Sequence, residues 1–141
     1  MKKNYKKYIL VTGGAGYIGS IVVNKLIKQK FKVIIIDNLS SGHRRLIHKK
    51  SIFINIDILN YNKLLLKLKK YEIQSIFHFA ASIKVDESQK NPNKYFLNNV
   101  IGTENILKIA LQKKIENFFF FFTSAVYGDS SKKNLSENDC T

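Results

Sequence analysis

The chain contains one cysteine (Cys140), one proline (Pro92) and no tryptophan. A single thiol excludes an intrachain disulfide framework and a cysteine metal cluster, so no metal is expected, and a reducing, cytoplasmic setting fits. No apolar run approaches the ~20 residues a helix needs to cross a bilayer, and no membrane association is expected. The basic start, Met1 to Lys7, leads into a short apolar stretch that breaks into glycines after Thr12, which is not the pattern of a signal peptide. Acidic residues are also scarce, 10 against 24 lysines and arginines, for a net charge of +14. Such a balance is common among nucleic-acid binders. Yet Arg44 and Arg45 are the only arginines, and the lysines are scattered over the chain without interleaved aromatics. Asn, Ile, Phe and Tyr are abundant too, all residues with codons rich in A and T. Biased base composition therefore explains the lysines as well as function does. No specific nucleic-acid partner is expected, and the basic surface favours an anionic small ligand. At ~100–200 residues per domain, 141 residues make one domain.

The stretch that organises the rest is Tyr8-Ile9-Leu10-Val11-Thr12-Gly13-Gly14-Ala15-Gly16-Tyr17-Ile18-Gly19. A short apolar run ends in glycines at 13, 16 and 19, and a helical pattern follows. Glycines let a backbone turn tightly and approach a pyrophosphate, and a helix N-terminus offers unpaired N–H groups and a positive dipole end. Gly19, one turn into the helix, allows close packing on the strand. A second apolar run, Lys32-Val33-Ile34-Ile35-Ile36, ends in Asp37. A carboxylate there accepts hydrogen bonds from both hydroxyls of an adenosine ribose and repels a 2′-phosphate, which favours NAD over NADP. Arg44 and Arg45 offer a place for a 2′-phosphate, but they follow the strand end. The alternative is a tight turn in some other α/β protein, with Asp37 a cap.

Taken in order, the pattern predicts an exposed arm over 1–7, a strand over Tyr8–Thr12, a helix over Tyr17–Lys30 and a strand over Lys32–Asp37. The loop Asn38-Leu39-Ser40-Ser41-Gly42 is placed around the adenosine. A third strand spans Ser51–Ile56, ending in Asp57-Ile58, and an amphipathic helix spans Asn60–Lys70 with Asn60 as N-cap. Glu72–Ala81 contains a fourth strand, and Ser82–Asn91 is a loop. Asn91-Pro92 signals the start of a helix running to about Lys114. The five phenylalanines from 118 to 122 read as a buried strand, Phe118–Thr123, and residues 128–141 as an exposed loop. Strands alternating with helices predict an α/β fold of Rossmann type, a doubly wound parallel sheet of order 3-2-1-4-5, incomplete, with the ligand between strands 1 and 4.

Five blocks carry a resemblance: Thr12–Gly19, Asp37-Asn38-Leu39, Phe77-His78-Phe79-Ala80-Ala81, Asn98–Thr103 and Thr123-Ser124-Ala125-Val126-Tyr127-Gly128. In this order the chain resembles the extended short-chain dehydrogenase/reductases, and within them the UDP-glucose 4-epimerases. The resemblance runs from about Tyr8 to Thr141. It implies NAD as cofactor and a UDP-sugar as substrate. It places the backbone of Tyr17 and Ile18 at the pyrophosphate, Asp37, Asn38 and the loop to Gly42 at the adenosine ribose, and Asp57 and Ile58 beside the adenine. It places Phe79, Ala80, Ala81, Ser82 and Ile83 along the pyrophosphate and nicotinamide, with Asn98 a further cofactor contact. Thr123, at a strand end, is the implied catalytic hydroxyl, bonding the reacting sugar oxygen. Other readings stay open: Asp57 as a helix cap, Asn98 as an ordinary polar helix position, Thr123 as satisfying its own strand end. His78 reads as a satisfied core histidine. A homodimer packed through helices is also implied, with the Pro92–Lys114 helix a candidate face.

The same resemblance calls for a Tyr-x-x-x-Lys motif on the next helix, where tyrosinate removes a hydroxyl proton while hydride passes to NAD. The 141 residues hold no such motif after Thr123. The expectation is therefore a truncated NAD-binding domain over 1–141, a fragment or shortened gene product without its substrate domain and inactive alone. Most of the UDP-sugar site would lie in the missing region. Ser124 and Ala125 stand where dehydratases place an acid and base pair, which argues against dehydration. Another NAD-dependent nucleotide-sugar epimerase/dehydratase, or a truncated non-catalytic NAD-binding remnant, remains as the alternative.

Overall fold

The computed structural model describes residues 7–121 and Ser136. Among the described residues, five parallel strands form one sheet of order β3-β2-β1-β4-β5. They are β1 (Tyr8–Thr12), β2 (Lys32–Asp37), β3 (Ile52–Asn55), β4 (Ile73–His78) and β5 (Asn117–Phe120). The two central strands explain the apolar runs. β1 is flanked by β2 and β4, so its residues Ile9–Thr12 are buried on both faces.

Alternate residues of each strand serve opposite sides of the sheet. Leu10, Ile34, Ile36 and Ile76 pack on one side with Leu64 and Leu68 of α2 (Tyr61–Leu68) and Ile106 and Ile109 of α5 (Thr103–Gln112). Ile9, Val11, Val33 and Ile35 pack on the other side with Val23 of α1 (Tyr17–Lys28). The order reverses at β1 and β4, and the crevice beyond their C-terminal ends opens there. Asn60 caps α2, its side chain accepting from the Lys63 N–H at 3.3 Å. Lys7 pairs with Glu72 at 2.9 Å, so this end of the expected arm is tied down.

Three expectations need correction. Ser82–Asn91 is not all loop, because Val85–Lys90 forms a short helix, α3, with Asp86 and Glu87 favourably placed in its first turn. It buries no residue, so no apolar periodicity announced it. The helix from Pro92 is not continuous. α4 (Pro92–Phe96) passes into a π-helical turn, Leu97–Gly102, before α5 begins. Pro92 does occupy the first turn, but Asn91 makes no side-chain cap; its carbonyl accepts from the Lys94 N–H instead. Finally, the described part of the phenylalanine run, 118–121, is not buried. Among the described residues β5 is the outermost strand, and Phe119, Phe120 and Phe121 are each about half exposed. Phe119 and Phe121 stack on Phe77 and Phe79 along one side, while Phe118 and Phe120 flank His78 on the other. No helix among the described residues is long and apolar enough to cross a membrane.

Candidate functional site

The glycine turn is held from both sides. The Gly13 N–H donates to the Ile36 carbonyl at 2.8 Å, and the Gly16 N–H to the Gly13 carbonyl at 3.1 Å. Gly13 has φ +70°, and a Cβ there would lie 2.7 Å from backbone atoms of Phe79 and Ala80. A Cβ on Gly19 would lie 2.3 Å from the Gly13 carbonyl oxygen. The turn, the β4 end and α1 therefore share a space that only bare backbone fills. α1 starts after Gly16 with no capping side chain and no acid in its first turn, so its positive end is left for an anion.

Asp37 is buried at the β2 end, and its carboxylate already works within the fold. Oδ2 accepts from the Ala15 N–H at 2.9 Å and Oδ1 from the Leu39 N–H at 2.8 Å. It thereby ties the glycine turn to the next loop, where Leu39 takes a left-handed φ of +60°. The His43 N–H donates to the Ala15 carbonyl at 2.9 Å, folding that loop back over the turn. Asn38 donates to Asp57 Oδ2 at 2.8 Å, joining the β2 and β3 ends. Asp57 Oδ1 accepts from the Leu59 N–H, so Asp57 shapes a turn and leaves the capping of α2 to Asn60.

On the other wall the Phe79 N–H donates to the Thr12 carbonyl at 3.0 Å, continuing the β4 ladder into Ala80 and Ala81. Ser82 is gripped by Asn99, which accepts from its N–H at 2.8 Å and donates to its carbonyl at 2.9 Å. Behind this lies a buried relay. Thr103 Oγ1 donates to the Asn99 carbonyl at 2.7 Å, so it accepts from His78 Nε2 at 2.9 Å, which leaves Nδ1 to accept from Thr12 Oγ1 at 2.7 Å. His78 is thus a satisfied core histidine.

Burial pushes the His78 ring down to about 4 from 6.5. The exposed ring of the unfolded chain titrates near its ordinary value. As pH falls from 6.5 toward 4 the unfolded chain binds the extra proton, and the fold loses roughly 3 kcal/mol in full. Above pH 6.5 both forms are neutral and the contribution is flat. His78→Gln offers one donor and one acceptor without titrating. Urea unfolding at pH 7, 5.5 and 4.5 should therefore show a shallower acid loss in His78→Gln; an unchanged slope would rule out His78 as its source.

These walls enclose one cleft. It is lined by Gly13, Gly16, Asp37, Asn38, Ser40, Ser41, Ile58, Phe79, Ala80, Ala81, Ser82 and Asn98, together with Ile36 and Ile56. Of the residues singled out from sequence, Tyr17, Ile18, Gly19, Leu39, Gly42, Asp57 and Ile83 do not line it. Gly19 and Gly42 instead give packing room, and Ile83 is exposed. Thr123 lies outside the described residues, as do Ser124 and Tyr127. Ile36 and Ile56, core residues at the β2 end and just past the β3 end, are not singled out from sequence; a buried role is expected of Asn98 or Asn99, and the Ser82 clamp falls to Asn99.

Residues 9–141 match the NAD dependent epimerase/dehydratase family. The chain belongs to that family. A UDP-glucose 4-epimerase of Halalkalibacterium halodurans is 41% identical over 133 residues, covering 94% of this chain and 40% of that protein. A crystal structure of UDP-glucose 4-epimerase superposes with TM-score 0.92 at 35% identity, covering 96% of this chain and 41% of the other. The UDP-glucose 4-epimerase of Brucella ovis, solved in complex with NAD, gives 0.88 at 36% identity, covering 95% and 41%. The chain thus spans about two-fifths of the length of these epimerase/dehydratase relatives. Its sheet order and helices are those of the family's Rossmann-type fold.

Proposed function

We propose that residues 1–141 form the NAD-binding domain of a UDP-sugar 4-epimerase that interconverts UDP-glucose and UDP-galactose through a 4-keto intermediate. The observation that carries this reading is the cleft itself. A glycine turn at an uncompensated helix N-terminus, a β2-end carboxylate and the small residues Ala80 and Ala81 converge where a dinucleotide lies across a doubly wound sheet. The Cβ-free space at Gly13 fits a close backbone approach to a pyrophosphate. The N–H groups of Tyr17 and Ile18, at the α1 start just behind the cleft-lining Gly16, would meet its charge, Asp37 and Asn38 would hold the adenosine ribose, and Ile58 would wall the adenine. Phe79–Ser82 and Asn98 would line the remaining half of NAD. Held there, the cofactor would supply a reversible hydride acceptor, and Thr123 would bond the sugar oxygen.

The 141 residues contain no Tyr-x-x-x-Lys motif. A polypeptide of this length is therefore proposed to bind NAD without turning over sugar, the UDP-sugar needing residues beyond it. The homodimer face is proposed along the helical stretch after Pro92, where Phe96, Val100 and Leu111 are exposed. The test is a graft: these residues replace the corresponding N-terminal segment of the Halalkalibacterium halodurans enzyme. The hybrid should carry NAD and convert UDP-galactose to UDP-glucose. A folded hybrid that carries no NAD contradicts the reading.

A further inference from the structure

One helical stretch holds both walls of the cleft. At its start, Asn99 makes two hydrogen bonds to the Ser82 backbone, and Asn98 Nδ2 donates to the same Asn99 Oδ1 at 2.8 Å. At its end, Asn105 Nδ2 donates to the Ile58 carbonyl at 3.0 Å and the Leu59 carbonyl at 3.2 Å. Gly102 leaves room for Ile58, whose Cδ1 would lie 2.5 Å from a Cβ there. Asn98 and Asn99 sit inside the π-helical turn, which resets their phase against Asn105 in α5; such turns are frequent at functional sites. The two asparagines therefore serve different strand ends. Asn105 fixes the β3 end, on the side where Asp37 and Asn38 converge. Asn99 fixes the β4 end, across the switch point.

We infer that Asn99 is a positioning residue for the nicotinamide half of the dinucleotide, acting through Ser82 and Asn98, while leaving the adenosine half untouched. The inference rests on the proposed NAD reading. In a doubly wound sheet the acidic β2 end takes the adenosine ribose, so the other half of the cofactor crosses to β4. Asn99 touches no cleft surface of its own; its side chain is spent on Ser82 and Asn98. Its main chain is fixed in turn by Thr103, itself bonded to His78.

The experiment is calorimetric titration of the 141-residue chain with NAD and, separately, with ADP. Losing the Ser82 clamp and the Asn98 contact, Asn99→Ala should bind NAD roughly tenfold more weakly. ADP affinity should stay within about twofold on the same grounds. Asn105→Ala should weaken ADP and NAD alike. Equal losses for both ligands in Asn99→Ala, or no loss of NAD affinity, overturn the positioning role. If Asn99→Ala does not fold, hydrogen exchange at Ser82 in the unaltered chain decides: a slowly exchanging amide supports the clamp, and exchange at the rate of a free loop amide overturns it. A wild-type chain that binds neither ligand overturns the NAD reading and this inference together, whereas one that binds NAD isolates the claim about Asn99.

Discussion

Gly13→Ala should abolish detectable NAD binding and cost the fold about 2–5 kcal/mol, which joins left-handed strain of ~1–2 kcal/mol to overpacking of ~1–3 kcal/mol. Neither term has an easy relief. At φ +70° an L-residue is strained wherever its side chain goes. The added Cβ would also meet the Phe79 carbonyl carbon and the Ala80 N–H nitrogen at 2.7 Å, and these are backbone atoms held by the Thr12–Phe79 hydrogen bond. Any escape pushes the β4 end away from β1, which opens the crevice at its floor. Gly16→Ala is the internal comparison. Its Cβ meets only the Gly13 carbonyl oxygen, at 3.2 Å, so its cost should stay within about 1 kcal/mol. Urea midpoints and NAD titrations on both variants read the contrast. Equal effects at the two positions would show that the turn is not built as described.

Asp37→Ala should weaken NAD binding about 100-fold and destabilise the chain by roughly 2–4 kcal/mol, since the buried Ala15 N–H and the half-buried Leu39 N–H lose their acceptor. The carboxylate accepts from Ala15 and Leu39 and is 8% exposed. Its loss therefore loosens the glycine turn and the 38–43 loop at once, beyond any direct bond to a ribose. Asp37→Asn separates the two roles. It keeps the shape and one acceptor, but turns an amide N–H toward a backbone N–H. The preference for NAD over NADP should narrow in both variants, because the charge that repels a 2′-phosphate is gone. Should Asp37→Ala keep wild-type NAD affinity while remaining folded, Asp37 is only a structural tie.

The parts of this fold that could be read from sequence are those whose cause is local. The apolar runs at β1 and β2, the glycine spacing and the acidic end of β2 are contiguous, and their chemistry depends on their immediate neighbours. The strand order follows from right-handed crossovers once the alternation of strands and helices is seen. What stayed hidden depends on distant partners. Asn99 meets Ser82 across 17 positions, and nothing in Asn98-Asn99 says which amide faces the cleft and which is spent behind it. The π-helical turn breaks a periodicity that the apolar pattern of 95–110 had made look continuous. α3 has no buried face to mark it. The phenylalanine run misleads for a different reason: apolar composition says that a strand wants covering, and its place at the sheet edge decides whether it is covered.

The measurement that most directly tests the account is calorimetric titration of the 141-residue chain with NAD, run beside NADP at the same ionic strength. One saturable site for NAD is expected, with at least about tenfold weaker binding of NADP, the effect of one like charge held against Asp37. A chain that stays folded and takes up no NAD, or that binds NADP as tightly, would contradict it.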